Sequence, residues 1–207
     1  PKTSVRIAWG ANIEKPPKAP PREIVPGAPL NLLLVGRDWF AKGGPIAFDM
    51  AKILRERGLD ARLTVIGCQP PDFHMADWVT VHQQLDKSVP EQEQTFNETY
   101  AKAHFLVQPS YESYGFAFCE ASAHGLPSLC LRVGGVPVIN RVNGYALPKE
   151  SGPEVFADLL CKLQRDPEGY AKLCRSSRRK YVKRLNWTSW AKDVTAHLRD
   201  AVAALPR

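Results

Sequence analysis

From Leu30 onward the chain alternates short, unbroken apolar runs with stretches of helical spacing, and that rhythm admits few folds. Residues 30–36 (LNLLLVG) are apolar apart from one asparagine and end on glycine, the pattern of a strand buried on both faces of a parallel sheet. Residues 44–57 then place Ile46, Met50, Ile53 and Leu54 on one helical face, and Gly58 supplies the stop. The alternation continues with strands expected at 61–67, 78–82, 104–110 and 127–132 and helices at 91–102 and 116–124. Beyond them only helices are expected, at 152–165, 167–184 and 187–204. This order predicts an α/β domain: a Rossmann-like parallel sheet with helices on both faces and a helical C-terminal end.

The chain divides by composition. Residues 1–29 hold seven prolines and little periodicity, which reads as an extended linker. Residues 30–186 carry the alternating pattern, and 187–207 form a separate final helix. A length of 207 residues suffices for one such domain with a sizeable core. With no apolar run of about 18 residues and no basic-then-apolar opening, a cytoplasmic protein is expected. The five cysteines are widely spaced with no C-x-x-C pair, so they read as reduced core thiols, and no metal-ligand spacing is present. The net charge is +7, and Arg175–Arg184 holds six cations in ten residues. Such a helix suits anionic headgroups, nucleic acid or an acidic partner, or is a plain solvated face.

In a sheet of this kind ligands sit beyond the carboxyl ends of the strands. Two turns there carry chemistry. Gly36-Arg37-Asp38-Trp39-Phe40-Ala41-Lys42-Gly43-Gly44 follows the first strand and opens a helix. Its glycines permit close backbone approach, and Arg37 and Lys42 stand beside a helix N-terminus, which together suit a diphosphate. A charged surface turn without a ligand has the same composition. The second is Pro109–Pro127, with Glu112 in the loop after a strand and Glu120 inside the following helix. A carboxylate at such a cleft can accept both hydrogens of a vicinal diol. Glu120 lies among Phe116, Phe118, Ala121 and Ala123, so its charge needs a partner, and a salt-bridged helix residue is the other reading.

Taken together, G-R-x4-K-G after the first strand, P-S-x-x-E-x-x-G-x4-E-A-x-A-x-G-x-P, Val133-Gly-Gly-Val-Pro137 and Asn143-Gly-Tyr-Ala-Leu-Pro148 resemble family 4 of the retaining glycosyltransferases (group 1) over about residues 30–205. The resemblance implies one half of the GT-B architecture, the C-terminal, donor-binding domain. It implies transfer of a sugar from a UDP-, GDP- or ADP-sugar to an acceptor hydroxyl. Arg37 and Lys42 would hold the diphosphate in place of a metal, so no cofactor and no metal is expected. Glu112 would lie against the donor sugar and Glu120 would bind the ribose. Backbone amides at Tyr114, Gly115 and Phe116, with Gly36, would complete the site. The base would rest near the turn after 65–67 and near Leu85, Asp86 and Lys87. Two departures stand out. Val138 occupies the place where many relatives carry glutamate, and residues 82–85 replace the usual G-F or G-Y.

The same resemblance implies an acceptor-binding N-terminal domain preceding this chain, with Ile7–Asn12 as its end and the final helix crossing back to it. The chain by itself would bind donor and transfer little. A peripheral contact with the inner face of the membrane would fit the basic segment, and no nucleic-acid partner is expected. Two other activities share the architecture, sugar-nucleotide epimerase and phosphorylase, and the E-x7-E pair argues against both. A non-catalytic nucleotide-sugar-binding or interaction domain is the reading from another class, and intact Arg37, Lys42, Glu112 and Glu120 argue against it. The scattered histidines read as core or surface residues, and Trp187 and Trp190 as anchors of the last helix.

Overall fold

The computed structural model describes residues 4–16, 18 and 21–204. Six strands form one sheet: β1 (Leu30–Val35), β2 (Ala61–Ile66), β3 (Val79–His82), β4 (Phe105–Gln108), β5 (Ser128–Leu131) and β6 (Gly144–Leu147). All pairings are parallel and the order is β3-β2-β1-β4-β5-β6. The helices are α1 (Gly44–Glu56), α2 (Pro90–Lys102), α3 (Phe116–Ala123), α4 (Pro153–Gln164), α5 (Pro167–Lys183) and α6 (Trp187–Ala203), with a 3-10 turn at Asp72–His74. This is the expected Rossmann-like sheet, and among the described residues no helix is long and apolar enough to cross a membrane. β6 is an addition. The sequence pattern marks 144–147 only as part of a motif and predicts no element there, because four residues beginning with glycine carry little strand propensity; pairing in register with β5 makes it a strand.

The pleat of β1 shows why an unbroken apolar run is needed there. Leu30, Leu32 and Leu34 join a cluster with Met50 and Leu54 of α1 and Phe156 and Leu160 of α4. Leu33 joins a second cluster with Phe96 and Tyr100 of α2 and Phe118 of α3. A strand covered on both faces leaves little room for polar side chains, and the one that β1 carries, half-buried Asn31, donates its amide to Lys102 O at 3.1 Å. Gly58, at φ 85°, ends α1 in the left-handed conformation that a side chain resists. All five cysteines are free, and four of them are buried.

The described residues of the N-terminal segment form no helix or strand but are bound to the domain. The Ala11 N–H donates to Leu185 O at 3.0 Å, and Ala11 packs among Cys119, Ala123, Tyr181 and Leu185. Arg22 is buried, and its guanidinium donates to carbonyls of Tyr100, Ala101, Ala103 and His124, where α2 and α3 end. It satisfies carbonyls that a helix terminus leaves unpaired and places a cation at two negative helix ends. Pro1–Thr3, Pro17, Ala19, Pro20 and Leu205–Arg207 of the expected linker and final helix lie outside the described residues. The final helix buries none of its residues, and Leu198 and Val202 are exposed.

Candidate functional site

The strand order reverses between β1 and β4: the chain runs outward from β1 through β2 and β3, then returns to β1's other side. The turns that leave these two neighbours diverge and open a crevice at their carboxyl ends. Both motif turns lie there. Gly43 holds φ 74°, and a Cβ on it would run into the Pro109 carbonyl, so only glycine lets the two turns meet so closely. Gly134, at φ 54°, plays the same part below, since a Cβ there would strike the carbonyl of Glu112. The G-G pair after β5 thus supports the loop that carries Glu112.

The result is a cleft of about 490 Å³. Gly36, Arg37 and Lys42 line it from the β1 turn. From the β4 turn and α3 come Glu112, Tyr114, Gly115, Phe116 and Glu120, and Lys87 enters from the β3 side. Nine of the ten residues singled out from sequence therefore share one cavity. Asp86 does not: its carboxylate accepts from the Ser88 N–H at 2.8 Å and the Ser88 hydroxyl at 2.7 Å, closing its own turn.

Lys42 Nζ and Glu112 Oε1 form an ion pair at 2.5 Å across the two motif turns. The same oxygen accepts from Gln108 Nε2 at 2.8 Å and Ser110 Oγ at 3.1 Å. Burial pushes the Glu112 carboxyl up, but the bonds from Lys42, Gln108 and Ser110 outweigh it and hold the group below the usual carboxylate range. Glu120 is buried and finds the partner its setting demands: Lys87 Nζ lies 2.7 Å from Oε1, and Tyr100 donates to Oε2 at 3.4 Å. Burial, with the carboxylate beside it, keeps the Tyr100 phenol protonated far above its ordinary range. Lys87 also donates to Asn12 O at 2.9 Å. Arg37 is exposed, and among the described residues no carboxylate pairs with it.

Helices α1 and α3 begin at the cleft with glycine N-caps and no side-chain cap; among the described residues this leaves first-turn N–H groups open at α3, whereas at α1 the Gly44 N–H donates to Trp39 O and Pro45 has none. By contrast α5 and α6, which do not follow strands, are capped by Asp166 and Asn186. The chemistry on offer is two helix N-termini, three cations and two carboxylates in one crevice, a setting for a polyanion bearing hydroxyl groups. Among the described residues no group of three or more His, Cys, Asp or Glu side chains could hold a metal ion.

Several lining residues were not foreseen. Gln108 ends β4, and Gln84, Phe96 and Ser113 line the cleft from loops and α2. Trp9 reaches it from the N-terminal segment and stacks on Phe116 at 5.4 Å and 14°. A polar residue closing an otherwise apolar buried strand was a readable sign for Gln108; nothing local marks Trp9. Val138 shares a buried cluster with Phe118 and Ala146 and lines a second, smaller cavity together with Arg6 and Arg132.

The sequence profile of the family described as Glycosyl transferases group 1 matches residues 29–166, two thirds of the chain. The chain belongs to this family. Its curated relatives include a D-inositol 3-phosphate glycosyltransferase of Corynebacterium glutamicum, 27% identical over 86% of this chain and 46% of that protein. Another, from Streptomyces bingchenggensis, is 33% identical over 70% of this chain and 29% of its own length. This group 1 chain thus spans less than half the length of these two relatives. Among solved structures, the C-terminal domain of the group 1 family protein LpcC from Francisella tularensis is similar at TM-score 0.58 and 20% identity, over 72% of this chain and 83% of that one. Anabaena HepE in complex with UDP-glucose aligns at TM-score 0.65 and 15% identity, over 83% of this chain and 49% of that one. The group 1 fold here is one Rossmann-like half of the GT-B architecture.

Proposed function

We propose that this group 1 chain is the donor-binding half of a retaining glycosyltransferase that takes its sugar from a nucleoside-diphosphate sugar. The observation that carries the reading is the Lys42–Glu112 ion pair, which joins the turn after β1 to the turn after β4 inside one cleft. Neither motif alone defines a site. Joined, they set a phosphate-seeking cation against a carboxylate that can accept sugar hydroxyls.

Arg37 and Lys42 flank the diphosphate and stabilise the charge that develops on it as the sugar leaves. Glu120 accepts the ribose hydroxyls, and Lys87 shares that carboxylate. Glu112 and the open N–H groups at Gly115 and Phe116 receive the sugar. The acceptor hydroxyl attacks the anomeric carbon on the face from which the nucleotide departs, the carbon–oxygen bond to the diphosphate breaks, and a leaving phosphate oxygen takes the hydroxyl proton. The side-chain cations do the work of a metal, so no metal and no cofactor is needed. Two structural neighbours, HepE with UDP-glucose and GtfA with UDP and GlcNAc, are solved with such ligands, which supports the donor class. Residues before Leu30 and the exposed apolar residues of α6 would meet an acceptor-binding domain, and the basic face of α5 would rest on an anionic membrane surface.

Calorimetric titration with UDP, GDP and ADP and their glucose or mannose conjugates, in the presence of EDTA, tests the reading. One nucleotide series should bind saturably and without metal. A folded chain that binds none of them would overturn it.

A further inference from the structure

Gln108 closes β4 with only 1% of its surface exposed. Its Nε2 donates to Glu112 Oε1 at 2.8 Å, while its own Oε1 is buried with no hydrogen-bond partner among the described residues. The orientation of the amide follows from this contact, since only the NH2 end can face a carboxylate. A buried acceptor left unpaired costs stability, and Gln108 is the wrong residue for that place if packing were its only role. A methionine fills the same volume at no such cost. What glutamine adds is one donor directed at Glu112. Lys42, Gln108 and Ser110 all converge on the same Glu112 oxygen, so the carboxylate is held from one side and its second oxygen carries no bond from these groups.

We infer that Gln108 is a positioning residue: it locks Glu112 Oε1 from beneath so that Oε2 is presented to a hydroxyl of the donor sugar. The inference rests on the proposal that Glu112 faces that sugar. It adds a residue that acts through Glu112 and is blind to the nucleotide, so loss of Gln108 should affect sugar recognition and leave nucleotide recognition alone.

The test pairs Gln108→Met with Glu112→Gln on this chain, using UDP-glucose and UDP as probes. Gln108→Met should be at least as stable as wild type toward urea. It should also bind UDP-glucose about tenfold more weakly, the size of one lost charge-assisted bond, with UDP affinity unchanged. NMR of unliganded wild type supplies a readout that needs no variant and no ligand: a Gln108 side-chain N–H proton should shift along the titration of the Glu112 carboxyl. That titration should move to higher pH in Gln108→Met, with Lys42, the one charged side chain bonded to Glu112, left in place. If Glu112→Gln weakens UDP-glucose and Gln108→Met does not, or if the Gln108 proton ignores the titration, the positioning role is overturned. If Glu112→Gln also leaves UDP-glucose binding unchanged while the NMR coupling is present, it is the placement of the sugar at Glu112 that fails.

Discussion

Lys42 and Arg37 stand in the same turn but in different electrostatic settings, and the difference predicts how each responds to substitution. Lys42 is already engaged by Glu112 at 2.5 Å, so it is pre-positioned, and removing it also strips the half-buried carboxylate of the one cation paired with it among the described residues. Arg37 is exposed and makes no ion pair among the described residues, so removing it disturbs nothing else. Lys42→Ala and Arg37→Ala should each weaken binding of the nucleoside diphosphate about tenfold or more while affinity for the bare nucleoside stays the same. Lys42→Ala alone should also raise the titration of Glu112, since the strongest bond holding that carboxyl down is gone. Calorimetry with UDP and uridine checks the first outcome, and equal losses for the two ligands would contradict a diphosphate contact.

At the scale of elements, the alternating pattern locates five strands and six helices to within a few residues, because most of the helices show apolar spacing or open on proline. Pro45, Pro90 and Pro153 sit in first turns, where a missing N–H costs nothing. β6 escaped because it is a strand only by virtue of its neighbour: Leu129 and Leu131 of β5 supply the pairing that Gly144–Leu147 lacks by itself. The site was legible where motifs lie on consecutive residues and illegible where distant segments meet. Trp9 lines the cleft from the N-terminal segment and the Asn12 carbonyl beside it accepts from Lys87, while Asp86, adjacent in sequence to Lys87, turns its carboxylate to its own turn. α5 offers a prediction of its own. Lys172, Arg175, Arg179 and Lys183 recur at helical spacing and are exposed, while Tyr170, Leu173, Cys174, Ser177 and Tyr181 face inward. Replacing the four cations by glutamine should leave unfolding stability within about 0.5 kcal/mol. It should cut partition onto phosphatidylserine vesicles sharply, given about 1 kcal/mol for each basic residue near such a surface. Co-sedimentation that is equal for wild type and variant, or absent in both, would mark the stripe as a solvated face.

For the whole molecule, the buried ring of His124 links the fold's stability to pH. It lies 1% exposed against Tyr100, with centroids 4.9 Å apart, and Nε2 has no hydrogen-bond partner among the described residues. Burial first, then the charges of Arg22, Arg178 and Lys87, lower its pKa to about 3. The unfolded chain would protonate the same histidine near the ordinary value of about 6.5. Between those limits the unfolded state binds a proton that the native state refuses, so unfolding becomes easier as pH falls through the window and stability recovers as pH rises. The contribution approaches about 1.4 kcal/mol per pH unit below pH 6. His104 is shifted the same way by burial, and Arg22 lowers it further, so it acts in the same direction. The depressed Glu112 adds a loss only at lower pH, as that carboxylate becomes protonated. His124→Phe preserves an aromatic ring beside Tyr100 and removes the titrating group. Urea unfolding between pH 7.5 and pH 5 should therefore show a shallower fall in stability for the variant than for wild type. Parallel slopes would mean that His124 takes up its proton without unfolding the domain, and that the cations around it do not exclude charge from that part of the core.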